Sequence, residues 1–312
     1  MQKINYILVL LLLGIMSFTL EYSSENRPIS NFCDGIATFF TPDEPVRILA
    51  VGDIMMGRYV RVLMNEKGPY YPFEKIFSDK EWLSRFDIVT GNLEGPITER
   101  FITGGTAMTF GFPPDTAQIL KNVGFSAVGL ANNHMHDRGA QGYEETKKYL
   151  SEVGVGYYGN YSDPATSPGY FTEIRGEKIA FLGFNDVFGI LDLDSALELI
   201  SKVKKDVDYV LVFPHWGREY EHLPSKRQVL MAEKFLEAGA DAVIGHHPHV
   251  VQSYEVYDGE PVFYSLGNFV FDQYFRADVE EGLMVELILD DGEVDYEIYK
   301  IGSELSQPYV VE

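Results

Sequence analysis

Past Val46 the chain alternates two textures. Six short runs, "VRILAVGD", "FDIVTGN", "FSAVGLANN", "KIAFLGFND", "VDYVLVFPHW" and "ADAVIGHH", each supply four to seven apolar residues and end in polar ones. Continuous runs of that length predict strands buried on both faces. Between them, residues 115–123, 142–153, 194–204 and 225–238 read as helices. The last carries Val229, Ala232, Phe235 and Leu236 on one stripe, with Glu233 and Lys234 off it. Strands alternating with helices predict βαβ units and a mainly parallel sheet, so the fold class is α/β.

The texture changes after Val250. "VVQSYEVYDGEPVFYSLGNFVFD" and "EGLMVELILDDGEVDYEIYKI" alternate apolar and polar positions around Asp-Gly turns. That is the pattern of antiparallel hairpins. The C-terminal third is therefore expected to be β-rich, forming a second sheet packed on the first. No internal repeat or low-complexity tract interrupts residues 45–312, which read as one domain.

The N-terminus is different in kind. Lys3 leads an unbroken apolar run from Ile7 to Met16, followed by a polar exit. Residues 1–20 read as a secretory signal or, if uncleaved, a membrane anchor, and residues 21–44 as a linker. The run is short of the about 20 residues a full span needs. The expected location is extracytoplasmic, membrane-anchored or secreted. Cys33 is the only cysteine, so no intramolecular disulfide forms and stability must come from the core. With 46% hydrophobic residues, including 20 tyrosines and 21 phenylalanines, the chain can fill one. Its formal charge of −22 excludes nucleic acid as a partner, because phosphate backbones are bound by Lys and Arg clusters.

The polar residues that end the strands are unusual: Asp53; Asn92 and Glu94; Asn132, Asn133 and His134; Asn185 and Asp186; His215; His246, His247 and His249. Six of the seven histidines fall in three of these segments. In open α/β sheets, ligand sites form beyond the carboxyl ends of strands. Singly, several have ordinary explanations: Asp53 as a turn former, Asn132 to His134 as a helix cap, His215 as a satisfied core imidazole. The cluster at 246–249 does not, since adjacent buried imidazoles repel when charged. Taken together the set predicts a shared metal site. Imidazole, carboxylate and amide donors without thiolate suit Mn, Fe, Zn or similar ions rather than a structural zinc. One or two divalent ions are expected, and a pair about 4 Å apart would clamp a phosphoester. Arg58, Arg138 and Arg218 stand beside these motifs, where a guanidinium could hold an anionic group.

"NNHMHDRG" and "IGHHPH" resemble the GNHEFD-like and GGHSH-like motifs of the calcineurin-like metallophosphoesterases, a two-sheet fold flanked by helices. More closely, the ordered set "AVGDIMMGR", "GNLEGPIT", "LANNHMHDRG", "FPHWGREY", "GADAVIGHHPHVVQ" and "YSLGNFVFDQ" is similar to the CapA/PgsA-type capsule-biosynthesis family. The resemblance implies an αββα metallophosphoesterase-like sandwich with a β-rich C-terminal part. It implies Asp53, Glu94, Asn133, His215, His247 and His249 as metal ligands. His134 takes the place of the general acid, with Arg58 beside it as a second catalytic residue. Asn92 and Asp137 support the ligands, and His246 is either a further ligand or a partner orienting one. The implied substrate is a phosphoester or an anionic polymer such as poly-γ-glutamate, and the implied partners are membrane subunits of a capsule synthase. Two positions depart from the superfamily pattern: Met55 stands where D-x-H has its histidine, and Asn92 where a bridging aspartate is usual. Two readings follow, a metal-dependent hydrolase and a non-catalytic, metal-containing assembly subunit.

Overall fold

All six apolar runs form strands, but they divide between two sheets. The computed structural model describes residues 44–101, 103–106, 108–161, 163–187 and 191–311. The expected signal or anchor, Cys33 and all but the last residue of the expected linker lie outside the described residues. Among the described residues no helix is long and apolar enough to cross a membrane.

In the first sheet β1 (Val46–Ile54), β2 (Ile88–Leu93), β3 (Ala127–Gly129) and β4 (Gly156–Tyr158) run parallel in that order. In the second, β5 (Tyr170–Ile174) pairs antiparallel with β6 (Glu177–Asn185), which continues in parallel through β7 (Tyr209–His215) and β8 (Ala242–Ile244). The C-terminal third is β-rich, as expected, but it does not form the second sheet. Instead it extends both sheets. β9 (Tyr254–Tyr257) and β10 (Glu260–Phe263) add a hairpin beside β8. β11 (Asn268–Val270) pairs in parallel with the end of β1, while β12 (Glu281–Asp290), β13 (Glu293–Glu304) and β14 (Gln307–Val310) run antiparallel outward from β1. A hairpin pattern says which strands pair with each other, not which sheet edge receives them.

Side chains alternate across a strand, and here that alternation builds three apolar layers. Val46, Ile48 and Ala50 of β1 pack between the sheets with Phe181, Leu211 and Ile244. Leu49 and Val51, on the opposite face, meet Val60 and Met64 of α1 (Arg58–Lys67), Leu120 of α2 (Asp115–Val123) and Leu150 of α3 (Gly139–Glu152). Leu182 and Val212 of the second sheet meet Ile200 of α4 (Leu193–Val203) and Phe235 of α5 (Lys226–Glu237). The result is the αββα sandwich. The four expected helices are present within a few residues of their expected bounds. On α5 the buried stripe is Met231, Ala232 and Phe235, with Val229 and Leu236 half-buried at its margins. Ser225 opens that helix with a capping box to Gln228. Helix α1 has no such signal: its N-cap is Gly57, which has no side chain to cap with, and it follows the β1 motif almost at once.

Two glycines let the strand ends approach closely enough to bring the polar residues together. A Cβ on Gly52 would lie 2.1 Å from the Gly267 carbonyl oxygen, and one on Gly245 would lie 2.1 Å from that of Tyr264. Asp53 follows the first glycine directly, and His246 the second. The β1–β2 register also shifts between Val51 and Asp53, an irregularity of the kind that re-aims a side chain.

Candidate metal centre

The carboxyl ends of β1, β2 and β3 in one sheet and of β7 and β8 in the other meet at a single rim. Asp53, Glu94, His215, His247 and His249 are all buried there, as are Asn92 and His246. Donor atoms of Asp53, Glu94 and His215 lie within 4.8 Å of one another, and so do those of Glu219, His247 and His249. Asn133 joins the first group through its Oδ1, 2.8 Å from His215 Nε2. Every expected ligand is therefore in one cluster, and Glu219 is an addition the sequence reading missed.

A relay of amides orients the carboxylates. Asn132 Nδ2 donates to Asn92 Oδ1 at 3.0 Å and to the Leu93 carbonyl at 2.9 Å. That fixes the Asn92 amide so that its Nδ2 donates to Asp53 Oδ1 at 2.8 Å and to Glu94 Oε2 at 3.3 Å. A neutral amide thus stands where the superfamily pattern has a bridging carboxylate, and here it positions two carboxylates. Asn268 takes the equivalent part for a histidine: its Oδ1 lies 3.0 Å from His249 Nδ1, while its own Nδ2 donates to Gln273 and to the Val279 carbonyl.

The electrostatics are those of a site built around positive charge. His249 lies between two acids, with Nδ1 3.2 Å from Asp53 and Nε2 3.6 Å from Glu94. Burial alone would depress this imidazole, but the Glu94 charge and the Asp53 hydrogen bond outweigh it and push it up to about 9. Burial likewise works to raise Asp53, yet His249 and His246 hold it below the ordinary carboxylate range. Glu94 goes the other way, pushed well up by burial that His249 offsets only in part. Burial, with the neighbouring imidazoles, keeps His215 far below the usual histidine range. His247 is lowered to about 3, again by burial first and by the His249 charge second.

Several donor atoms have nothing to bind. Glu94 Oε1, both ring nitrogens of His246 and Nδ1 of His247 are buried without a hydrogen-bond partner among the described residues. Unsatisfied buried polar atoms are costly and rare, and a carboxylate oxygen beside imidazoles that each keep one nitrogen lone pair when neutral is a donor set that fits a cation. The backbone carries strain at the same point: His247 and His249 have φ of 97° and 59°, in the left-handed region that non-glycine residues seldom adopt.

The remaining expected residues divide. His134 Nδ1 lies 2.8 Å from Asp137 Oδ2, its ring stacks on Phe110, and its Nε2 is turned toward Glu94 at 3.9 Å. Arg58 reaches the same cleft, where Asp272 pairs with its guanidinium and the Phe110 and Phe271 rings flank it. Asp272 was not singled out by the sequence reading. His246 Nδ1 is 3.7 Å from Asp53 Oδ1. Arg138 is used structurally, donating to the carbonyls of Arg100, Asp137 and Thr109. Asn185 is occupied by the Tyr161 carbonyl, and Asp186 by a bidentate pair with Arg227. Met55 is fully buried, and its sulfur accepts from the Gly57 amide at 3.1 Å.

Fold and site together define a two-sheet αββα protein with a buried carboxylate–imidazole centre suited to divalent ions. The bacterial capsule synthesis protein family, PGA_cap, matches residues 47–273, and the chain belongs to it. It is 34% identical over 290 residues to the capsule biosynthesis protein CapA of Bacillus anthracis, covering 85% of this chain and 69% of that one. To the PGA biosynthesis protein CapA of Bacillus subtilis strain 168 it is 36% identical over 287 residues, covering 85% and 74%. A crystal structure of a hypothetical protein from Thermus thermophilus superposes with a TM-score of 0.54 at 19% identity, covering 86% of this chain and 99% of that one. That last likeness speaks to the fold alone.

Proposed function

We propose that this member of the capsule synthesis family is a metal-dependent phosphoester hydrolase acting outside the cytoplasm on an anionic polymer or a phosphoester intermediate of capsule production. One observation carries the reading: a His134–Asp137 pair faces the ligand cluster, with His134 Nε2 3.9 Å from Glu94. Asp53, Glu94, Asn133, His215, His247 and His249 would hold one or two ions, with Glu219 as a further ligand beside His247 and His249. Divalent ions in such a donor set supply Lewis-acid polarisation of a phosphoryl group.

The chain's own groups account for the rest. Asp137 accepts from His134 Nδ1, so Nε2 is the nitrogen that delivers a proton to a leaving oxygen. The Phe110 amide also donates to Asp137 Oδ2, which holds that carboxylate in place. Arg58, clamped by Asp272, presents fixed positive charge in the same cleft. Relatives named for capsule and PGA biosynthesis support an association with the capsule synthesis machinery.

A second reading has its own observation. Met55 offers no imidazole at the D-x-H position, as expected of a metal-containing assembly subunit that does not turn over. Assays of wild type, His134→Ala and Met55→His on phosphomonoesters and phosphodiesters separate the two. The hydrolase reading expects wild-type turnover that His134→Ala reduces and Met55→His preserves or raises. One background rate for all three proteins would overturn it in favour of the subunit.

A further inference from the structure

His134 and its neighbour Asn133 open onto different spaces. Asn133 lines a cavity of about 830 Å³ together with His247, Arg218 and Arg227. His134 lines a smaller one of about 240 Å³, whose wall includes Met108, Phe110, Tyr220, Phe271 and Phe275. The proposed proton donor therefore faces a space with four aromatic rings, while Arg218 lines the other.

The polar side chains of the smaller cavity are already committed. Arg58 is gripped by Asp272, which also accepts from the Tyr59 amide at 3.0 Å. Gln273 accepts from Asn268 at 3.0 Å and donates to the Tyr220 hydroxyl at 3.2 Å. Asp137 holds Nδ1 of His134, and Glu219 and His249 belong to the ligand cluster. Beyond these the wall offers one further polar side chain, the exposed Thr106. Its apolar residues are less fully used. Phe110 and Phe271 are buried, but Phe275 is 61% exposed and Met108 69%. Tyr220 braces Phe275 edge-on, with ring centroids 5.4 Å apart. Exposed apolar side chains gathered at a cavity mark a surface that something apolar covers. A space of about 240 Å³ falls below the about 300–1,000 Å³ of pockets that take a whole drug-sized ligand, so it suits one fragment of a substrate.

We propose that this cavity receives the leaving group of the phosphoester, and that this group is an apolar alcohol, aryl or alkyl, rather than a sugar or other polyol. The inference rests on the hydrolase reading above and names its substrate class. Hydrolysis breaks the bond between phosphorus and the leaving oxygen. Water supplies the oxygen that phosphorus gains, the proton on His134 Nε2 passes to the departing oxygen, and a proton from that water restores His134. The departing alcohol must lie against Nε2 at that moment, and the space in front of His134 is walled by Phe275, Met108 and Tyr220.

Calorimetric titration of the full-length, metal-loaded protein with three phosphonates of equal charge tests this: benzylphosphonate, hexylphosphonate and dihydroxypropylphosphonate. In each, carbon replaces the leaving oxygen, so nothing is cleaved. Both apolar probes are expected to bind at least about tenfold more tightly than the diol, the order of effect that covering this much apolar surface supplies. The tighter of the two tells a flat ring from a chain. Phe275→Ala with Met108→Ala should remove most of that preference and leave affinity for the diol, metal content and Tm unchanged. Phe275→Leu should keep most of it. A diol bound as tightly as the apolar probes, or a preference that survives in the double variant, would overturn the apolar site. Hydrolysis of benzyl phosphate and glycerol phosphate is followed on the same samples, and equal kcat/KM for the two would also overturn it. Wild type that cleaves neither, yet keeps a preference dependent on Phe275 and Met108, would instead overturn the hydrolase reading and leave the apolar site standing.

Discussion

Nδ1 of His249 lies 3.2 Å from Oδ2 of Asp53, so the last histidine of "HHPH" and the first carboxylate of the centre form one charged unit. In the metal-free protein that unit keeps a proton. An imidazole raised to about 9 in the folded state contributes stability that is complete below its unfolded value near 6.5 and is lost as pH rises through 9. The melting temperature of chelated protein is therefore expected to fall between pH 7 and pH 9. Metal-loaded protein should lack that fall, because a ligand imidazole is already deprotonated. Thermal scans with and without chelator across that interval check it. Staying above pH 7 avoids the opposite effect of His215 and His247, held low by burial, whose contribution disappears as pH drops below their unfolded value.

The His134–Asp137 pair predicts a separation of binding from turnover. His134→Ala should leave metal content and folding nearly unchanged while lowering kcat by roughly 10²–10⁴-fold, the usual share of a positioned proton donor. Asp137→Asn should also lower kcat, by less than His134→Ala, because the Nδ1 contact that orients the ring loses its carboxylate. Steady-state rates, with metal analysis of the same preparations, provide the check.

Glu219 predicts a graded loss. Its carboxylate shares a group with His247 and His249 but is only half-buried. Glu219→Gln keeps the shape and removes the charge, and should weaken affinity for one ion by about tenfold or more. The Tm of the chelated protein should stay within a degree or two of wild type. Competition titration against a chromophoric chelator reads the first, and a thermal scan the second.

Much of the site was legible in the sequence because the chemistry sits where strands stop. An apolar run that ends in Asp, Asn or His announces both a strand and what its carboxyl end carries. On that basis the strand-end residues could be picked out as one candidate set, and the family resemblance narrowed it to Asp53, Glu94, Asn133, His215, His247 and His249. The misses have physical reasons. Glu219 and Asp272 lie in loops beyond their strands, and only the folded loop decides where they point. Asn185 and Asp186 present the same strand-end signature as the ligands, yet Tyr161 and Arg227 take them up. No single-residue signal separates the two outcomes. Helix α1 lacked a capping side chain, and the C-terminal hairpins did not reveal that they would be shared between sheets.

The apolar run from Ile7 to Met16 predicts export. A reporter active only outside the cytoplasm, fused after Ser30, is expected to be active in cells. Deleting residues 4–16 should abolish that activity without lowering the amount of fusion protein. Equal activity with and without the apolar run would count against export.

Hydrolase and subunit readings alike require the ligand cluster to hold metal, and elemental analysis of the purified full-length protein tests this most directly. Wild type is expected to carry one or two equivalents of a divalent transition ion. The double variant His247→Ala with His249→Ala should carry almost none and should no longer gain Tm when metal is added, since an ion bound only by the native state stabilises it by mass action. A folded double variant with wild-type metal content, or a wild type that stays metal-free when supplied with Mn, Fe and Zn in turn, would contradict the centre described here.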